Sequence, residues 1–156
     1  MKKLLLIVAA LCLLPISAHA VEQVTGVGFS IDVDGGLADN FAYTGVRIPL
    51  PNKMFMVTDF KYSRTIDPDE QDFGMRAAFG YSFSKYFDFW GGIGGMKDEM
   101  TGEEYLDFTA HATFFPLGNS MSDAPMKYGF TPFVVYRPGQ DNVWGGLVFT
   151  TFIGSR

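Results

Sequence analysis

Apolar residues alternate with small or polar residues in eight short segments of this chain. In the first segment, Val27-Gly28-Phe29-Ser30-Ile31, the odd positions are apolar and the even positions are Gly or Ser. Side chains of a β-strand point alternately to opposite faces, so each segment predicts a strand with one apolar face and one polar face. The predicted strands cover residues 25–33, 41–50, 53–64, 73–83, 87–96, 105–115, 128–137 and 143–153.

The polar face of these strands distinguishes two kinds of barrel. A barrel in water turns its apolar face inward, whereas a membrane barrel turns that face to lipid and can keep a polar interior. Here the polar face carries glycines and charges of both signs, and its ionisable residues are Asp32, Arg47, Asp59, Lys61, Arg76, Asp88, Asp107, His111 and Arg137. Strands of about 9–11 residues cross a membrane when tilted, and eight is the smallest common strand number. We therefore expect an all-β fold, an eight-stranded antiparallel up-and-down transmembrane β-barrel.

The first 20 residues have the composition of a secretory signal. Met1-Lys2-Lys3 gives a basic start, residues 4–15 are apolar, and Ala18-His19-Ala20 matches a small-x-small cleavage site. We expect a signal peptide over residues 1–20 and a single barrel domain over residues 21–156. The one cysteine, Cys12, lies within the leader, so the exported part is expected to contain no disulfide.

The charge of residues 21–156 argues against one class of partner. These residues include ten Lys and Arg against 17 Asp and Glu, a net charge of −7. A nucleic-acid partner needs a basic face, so no such partner is expected. The same residues hold 16 Phe, 7 Tyr and 2 Trp, which the lipid-facing band and interfacial girdles of a membrane barrel accommodate.

Acidic residues concentrate in every second connection between the predicted strands. The odd connections, numbered along the chain, span residues 34–40, 65–72, 97–104 and 138–142. They hold 11 of the 17 acids: Asp34, Asp39, Asp67, Asp69, Glu70, Asp72, Asp98, Glu99, Glu103, Glu104 and Asp141. The even connections, around residues 51–53, 84–86 and 116–127, each carry one lysine, and only Asp123 is acidic. All odd connections of a meander meet at one end, so we expect an acidic rim that faces outward if the N-terminus is periplasmic.

The charges on the polar face predict a closed lumen rather than a pore. Eight strands leave an interior just wide enough for side chains, and an unpaired buried charge is very costly. We therefore expect a plugged polar lumen in which Arg47 and Arg76 lie among the carboxylates of Asp32, Asp59, Asp88 and Asp107.

Candidate chemistry along the chain is sparse. His111 is the only histidine after residue 20, and as a general base it would need a Ser or Thr hydroxyl within about 2.6–3.2 Å. The glycines of residues 91–95 lack the Lys-Ser/Thr pair and the helix of a phosphate-binding loop. We expect no catalytic residue, no cofactor, no metal site and no enzymatic activity.

The leader, the eight alternating strands and the length together resemble the OmpA/OmpX-type small outer-membrane barrels over residues 21–156. Glycine-rich strand openings such as Gly26-Val27-Gly28-Phe29 also resemble the YfaZ-type outer-membrane proteins. The resemblance implies export through the periplasm to the cell outer membrane, with outer-membrane lipid and lipopolysaccharide around the barrel. It also implies insertion by the barrel-assembly machinery, although this chain ends Ile153-Gly154-Ser155-Arg156 where such barrels usually end on an aromatic residue.

We expect a monomer with a structural or surface-interactive role. An architecture by itself does not fix a function. Two alternatives remain open from the sequence. A soluble periplasmic lipocalin-like barrel would turn its Phe and Met face inward and bind an apolar ligand there. A lipid-modifying barrel enzyme would use His111.

Overall fold

The computed structural model describes residues 21–32, 37–65, 71–98, 102–122, 124–138 and 142–154. Eight strands follow one another along the chain, and each pairs antiparallel with the next. The last strand also pairs with the first, which closes the barrel. The expected all-β fold, an eight-stranded antiparallel up-and-down β-barrel, is confirmed. No helix among the described residues is long and apolar enough to span a membrane.

Six of the eight strands are longer than the alternation predicted, and the third and sixth have the predicted length. The strands are β1 (Glu22–Asp32), β2 (Leu37–Pro49), β3 (Met54–Thr65), β4 (Gln71–Ser84), β5 (Phe87–Asp98), β6 (Glu104–Phe114), β7 (Met126–Arg137) and β8 (Asn142–Gly154). Backbone hydrogen bonds between strands do not require an apolar face, so pairing continues where the alternation stops. As a correction, four acids assigned to odd connections lie at strand ends instead: Asp39, Asp72, Asp98 and Glu104.

The apolar face of every strand points outward. Val27, Phe60 and Phe79 are exposed by 61%, 58% and 52%, whereas Ala78 and Thr131, on the opposite face, are fully buried. The predicted facing is therefore confirmed. A lipocalin-like barrel needs the reverse arrangement, with its apolar face inside, and the structure excludes that alternative.

Pro132 interrupts one seam of the barrel. Strand β6 pairs with β7 over residues 108–111 and 133–136, and pairing resumes only where Phe114 lies opposite Phe130. The pairing is interrupted at Pro132 because proline has no N–H to donate to the hydrogen-bond ladder between the strands. On its other side the register with β8 is kept, and Pro132 lies opposite Leu147.

Candidate functional site in the lumen

The centre of the lumen is occupied by the guanidinium group of Arg76. Its Nε and Nη2 donate hydrogen bonds to Oδ2 of Asp59 at 3.1 and 2.5 Å, and its Nη1 contacts Nε2 of His111 at 2.5 Å. Asp59 and Arg76 lie directly opposite each other in the β3–β4 register, so neighbouring strands deliver this pair. The guanidinium carbon also lies 4.8 Å from the centroid of the Trp90 ring and 5.4 Å from that of Tyr43. We call Asp59, Arg76 and His111 the central cluster.

The His111 ring contacts Arg76 at its edge and an aromatic ring on each face. Its ring stacks on Trp90 with centroids 3.8 Å apart and on Phe133 at 5.7 Å, and its exposed fraction is 3%. Because an arginine only donates hydrogen bonds, Nε2 of His111 accepts, and the proton of the neutral ring is on Nδ1. That Nδ1 has no hydrogen-bond partner among the described residues. The hydroxyl partner that a general base needs is therefore not in place at either ring nitrogen.

A second group of charges lies at the end of the barrel where β1 begins and β8 ends. Arg47 donates to Oε2 of Glu22 at 3.1 Å and to Oδ2 of Asp88 at 2.8 Å. Lys127 donates to the other oxygen of Glu22, and Ser120 donates to Oδ1 of Asp88. All five residues are buried. We call Glu22, Arg47, Asp88 and Lys127 the terminal cluster.

The opposite end of the lumen holds one more ion pair. Arg137 donates through Nε to Oδ1 of Asp107 at 2.8 Å and through Nη2 to Oδ2 at 3.3 Å. The guanidinium carbon of Arg137 lies 4.3 Å from the ring centroid of Tyr105 and 4.8 Å from that of Trp144. A two-point pair stacked on aromatic rings is a rigid arrangement for an arginine.

A chain of hydroxyl groups runs along the inner wall of the barrel beside the central cluster. Trp90 donates to Thr113 at 3.0 Å, Thr113 and Thr131 are 3.0 Å apart, and so are Thr131 and Thr150. The chain ends where Thr150 meets the hydroxyl of Tyr43 at 2.9 Å. These links join β5, β6, β7, β8 and β2, and we call them the hydroxyl chain.

Gly26 makes the last link of the hydroxyl chain possible. On β1 it lies between its partners Tyr43 of β2 and Thr150 of β8. A Cβ at this position would lie 2.5 Å from the Tyr43 ring, closer than side chains approach. The missing side chain therefore lets the Tyr43 ring pass over β1 to reach Thr150.

A cavity adjoins the central cluster on the side of the odd connections. Its volume is about 30 Å³, and it is lined by Phe41, Tyr43, Lys61, Met75, Arg76, Gly94, Met96, Asp107, Thr109, His111, Phe133 and Val135. A space of this size holds about two water molecules. Among the described residues no group of three or more His, Cys, Asp or Glu side chains is placed to hold a metal ion.

The predicted lumen residues are largely brought together. Arg76 lies against Asp59 and Arg47 against Asp88, as expected, whereas Asp107 pairs with Arg137. Lys61 lines the central cavity. The side chain of Asp32 lies outside the described residues, so its predicted place in the lumen is not tested.

The sequence reasoning missed Glu22 and Lys127, because both were placed outside the predicted strands. In the structure they are strand residues at the first position of β1 and the second of β7. Lys127 lies an even number of residues before the inward-facing Thr131 and Phe133. Extending the predicted strand by one residue would therefore have assigned Lys127 to the lumen. The inward-pointing Ser120 lies in an irregular connection, where no periodic pattern marks it.

Solved structures of small membrane barrels are similar to the whole described barrel. Neisserial surface protein A matches with a TM-score of 0.54 at 10% identity, covering 86% of this chain and 95% of that chain. The Yersinia pestis outer membrane protein Ail matches with a TM-score of 0.53 at 13% identity, covering 86% and 99%. A de novo designed transmembrane β-barrel gives 0.55 at 7% identity, covering 86% and 95%. No protein-family model and no curated protein matches the chain.

These likenesses, at such low identity, concern the fold. An eight-stranded closed barrel with an apolar outer face and a charged interior is the architecture of small outer-membrane β-barrels. The chain therefore has the fold of small outer-membrane β-barrels, and the expected outer-membrane location agrees with that fold. The YfaZ-type resemblance stays a prediction, and so does the signal peptide over residues 1–20, which lies outside the described residues.

Proposed function

We propose that this protein is a monomeric, non-enzymatic outer-membrane barrel whose lumen is closed by its own side chains. Its work is structural or lies at the cell surface, in its connections and its lipid-facing wall, rather than in transport. The observation that carries the proposal is the filling of the lumen at three levels by the terminal cluster, the central cluster and the Asp107–Arg137 pair. Insertion by the barrel-assembly machinery and contact with lipopolysaccharide belong to the same proposal.

Conductance in a planar lipid bilayer tests the closed lumen. The wild-type protein should insert without producing stable single-channel steps in concentrated KCl. A variant that removes two large lumen groups, Arg76→Ala with Trp90→Ala, should show steps if it inserts, because both groups block the centre. Phe79→Leu, on the lipid-facing wall, is the matched control and should stay silent. Stable channels formed by the wild-type protein would show that the lumen is a pore.

The non-enzymatic role is supported by the surroundings of His111. Its Nε2 is taken by Arg76, and both ring faces are covered by Trp90 and Phe133. A lipid-modifying reaction would require a substrate group to reach this ring, and the cavity that adjoins it among the described residues has a volume of about 30 Å³. Mass spectrometry of phospholipid and lipopolysaccharide incubated with the purified protein should show no product. A product lost in His111→Phe would instead establish the enzyme alternative.

The orientation of the barrel is proposed from the positions of the connections. The start of β1, the end of β8 and the even connections share one end of the described barrel, and the strand ends that the odd connections join lie at the other. If the first end is periplasmic, the odd connections are expected to face the cell exterior. A protease added to intact cells should cut within residues 65–72 or 97–104 and spare residues 116–127. Cleavage of only the latter segment would mean that the barrel is inverted.

A further inference from the structure

Three even connections lie side by side at the end of the barrel that carries the termini. The amide of Ser82, in β4, donates to the carbonyl of Lys53 at 2.9 Å, which joins the β2–β3 turn to β4. The amide of Ser120 donates to the carbonyl of Lys85 at 3.0 Å, and that of Phe115 donates to the carbonyl of Tyr86 at 2.8 Å. We call residues 50–53, 84–87 and 115–122 the even rim.

The even rim exposes apolar side chains beyond the ends of the strands. Leu117 is 73% exposed, Met121 46% and Tyr86 43%. Gly118, which has a φ of 61°, packs on the Tyr86 ring, so the loop that carries Leu117 and Met121 is fixed beside Tyr86. An apolar cluster held outside the hydrogen-bonded barrel, with a tyrosine in it, is typical of the boundary between acyl chains and headgroups.

The exposed charges of the even rim are positive. Lys53 and Lys85 are both exposed, and neither forms an ion pair with any described residue. The acids nearby, Glu22 and Asp88, are buried and already paired within the terminal cluster. The described part of this surface therefore presents two ammonium groups next to an apolar cluster, without an exposed carboxylate.

The backbone conformation at Lys53 is a second observation that points to a function for the Lys53 side chain. Asn52 and Lys53 have φ values of 60° and 64°, the two positive values of a type I′ hairpin turn. Glycine is preferred at the second of these positions because a side chain disfavours positive φ. The chain keeps a long cationic side chain at a position where glycine would be favoured.

We propose that the even rim binds the headgroups of anionic glycerophospholipids. Lys53 and Lys85 contact the phosphates, while Leu117, Met121 and Tyr86 enter the underlying acyl boundary. Each lysine near an anionic membrane surface contributes about 1 kcal/mol, which is about a five-fold preference per lysine. The proposal concerns the chemistry of the headgroup and holds whichever side of the membrane the rim faces.

Lipid retention measured by native mass spectrometry tests the proposal. The full-length exported protein is reconstituted in equal amounts of phosphatidylglycerol and phosphatidylcholine and then released into detergent. Wild type should retain phosphatidylglycerol about 25-fold over phosphatidylcholine, if the two contributions of about five-fold multiply. Lys53→Gln with Lys85→Gln should bring the ratio close to one. Lys97→Gln, an exposed lysine on β5 towards the other end of the barrel, is the matched control and should leave the ratio unchanged.

A glycine variant separates lipid binding from folding. Lys53→Gly should raise the urea midpoint of unfolding in phosphatidylcholine vesicles, because glycine accepts the positive φ, and yet lower phosphatidylglycerol retention about five-fold. Equal retention of both lipids by wild type, or an equal loss in Lys97→Gln, would overturn the proposal. So would a photoreactive group at position 117 that crosslinks in cells to one protein species rather than to lipid. None of these readouts depends on whether the lumen conducts.

Discussion

Replacing Arg76 by methionine tests the central cluster most directly. Methionine keeps most of the apolar stem but removes the charge, so the carboxylate of Asp59, which is only 2% exposed, loses both hydrogen bonds from the guanidinium group. Removing one partner of a buried ion pair typically costs about 3–5 kcal/mol because the other charge is left without compensation. The contact of the guanidinium group with the Trp90 ring is lost as well, and for a buried pair this adds about 2 kcal/mol.

A second substitution distinguishes the stranded charge from lost packing. In Arg76→Met with Asp59→Asn the buried group is a neutral amide, so the double variant should be more stable than Arg76→Met alone. Pairs replaced together by uncharged residues are often close to neutral, which makes a recovery of at least about 1 kcal/mol the expected result. Lys97→Met, an exposed control, should change the free energy of unfolding by less than about 0.5 kcal/mol.

Urea unfolding in lipid vesicles measures these differences. Tryptophan emission reports on the two buried tryptophans, Trp90 beside the cluster and Trp144. Heat-modifiable mobility on a gel reports on the barrel as a whole. The two probes should give the same midpoint for each variant. If Arg76→Met is no less stable than Lys97→Met, or if adding Asp59→Asn makes it worse, the carboxylate is not a buried charge that depends on Arg76.

Three further predictions concern the wall and the hydroxyl chain. Phe79→Arg should cost about 2–4 kcal/mol in vesicles if the position faces the membrane midplane, whereas Phe79→Leu should cost much less. Thr131→Val breaks the middle of the hydroxyl chain and should cost about 1–3 kcal/mol, measured by the same urea unfolding; no loss would mean that the chain is not formed. Gly26→Ala should cost about 1–3 kcal/mol by displacing the Tyr43 ring, and adding Tyr43→Leu should relieve most of that cost.

The facing of the strands was fully predictable from the sequence because it depends only on parity. Once Phe79 is known to face lipid, Arg76 and Ala78 must face the lumen, whatever the rest of the barrel does. The Asp59–Arg76 pair also follows from local information, since these residues lie opposite each other across one hairpin. The number of strands and their order come from the same alternation and from the short connections.

The partners across the lumen were not predictable in the same way. Arg47 of β2 reaches Asp88 of β5, and Lys127 of β7 reaches Glu22 of β1, so neither pair joins neighbouring strands. Parity places such residues inside, but which of them meet depends on the stagger of the strands around the barrel and on side-chain length. The contribution of Ser120 depends on an irregular connection that folds back over the mouth of the barrel.

The three ion-paired levels of the lumen share no residue, and every described carboxylate in them has a basic partner. The terminal cluster has two acids and two bases, and the central and outer levels each pair one carboxylate with one guanidinium group. Lys61 is a further basic side chain beside the central level, where it lines the central cavity. The ion pairs of the three levels satisfy the requirement that buried charges be paired. The arrangement therefore supports the proposal of a closed lumen whose paired charges stabilise the barrel.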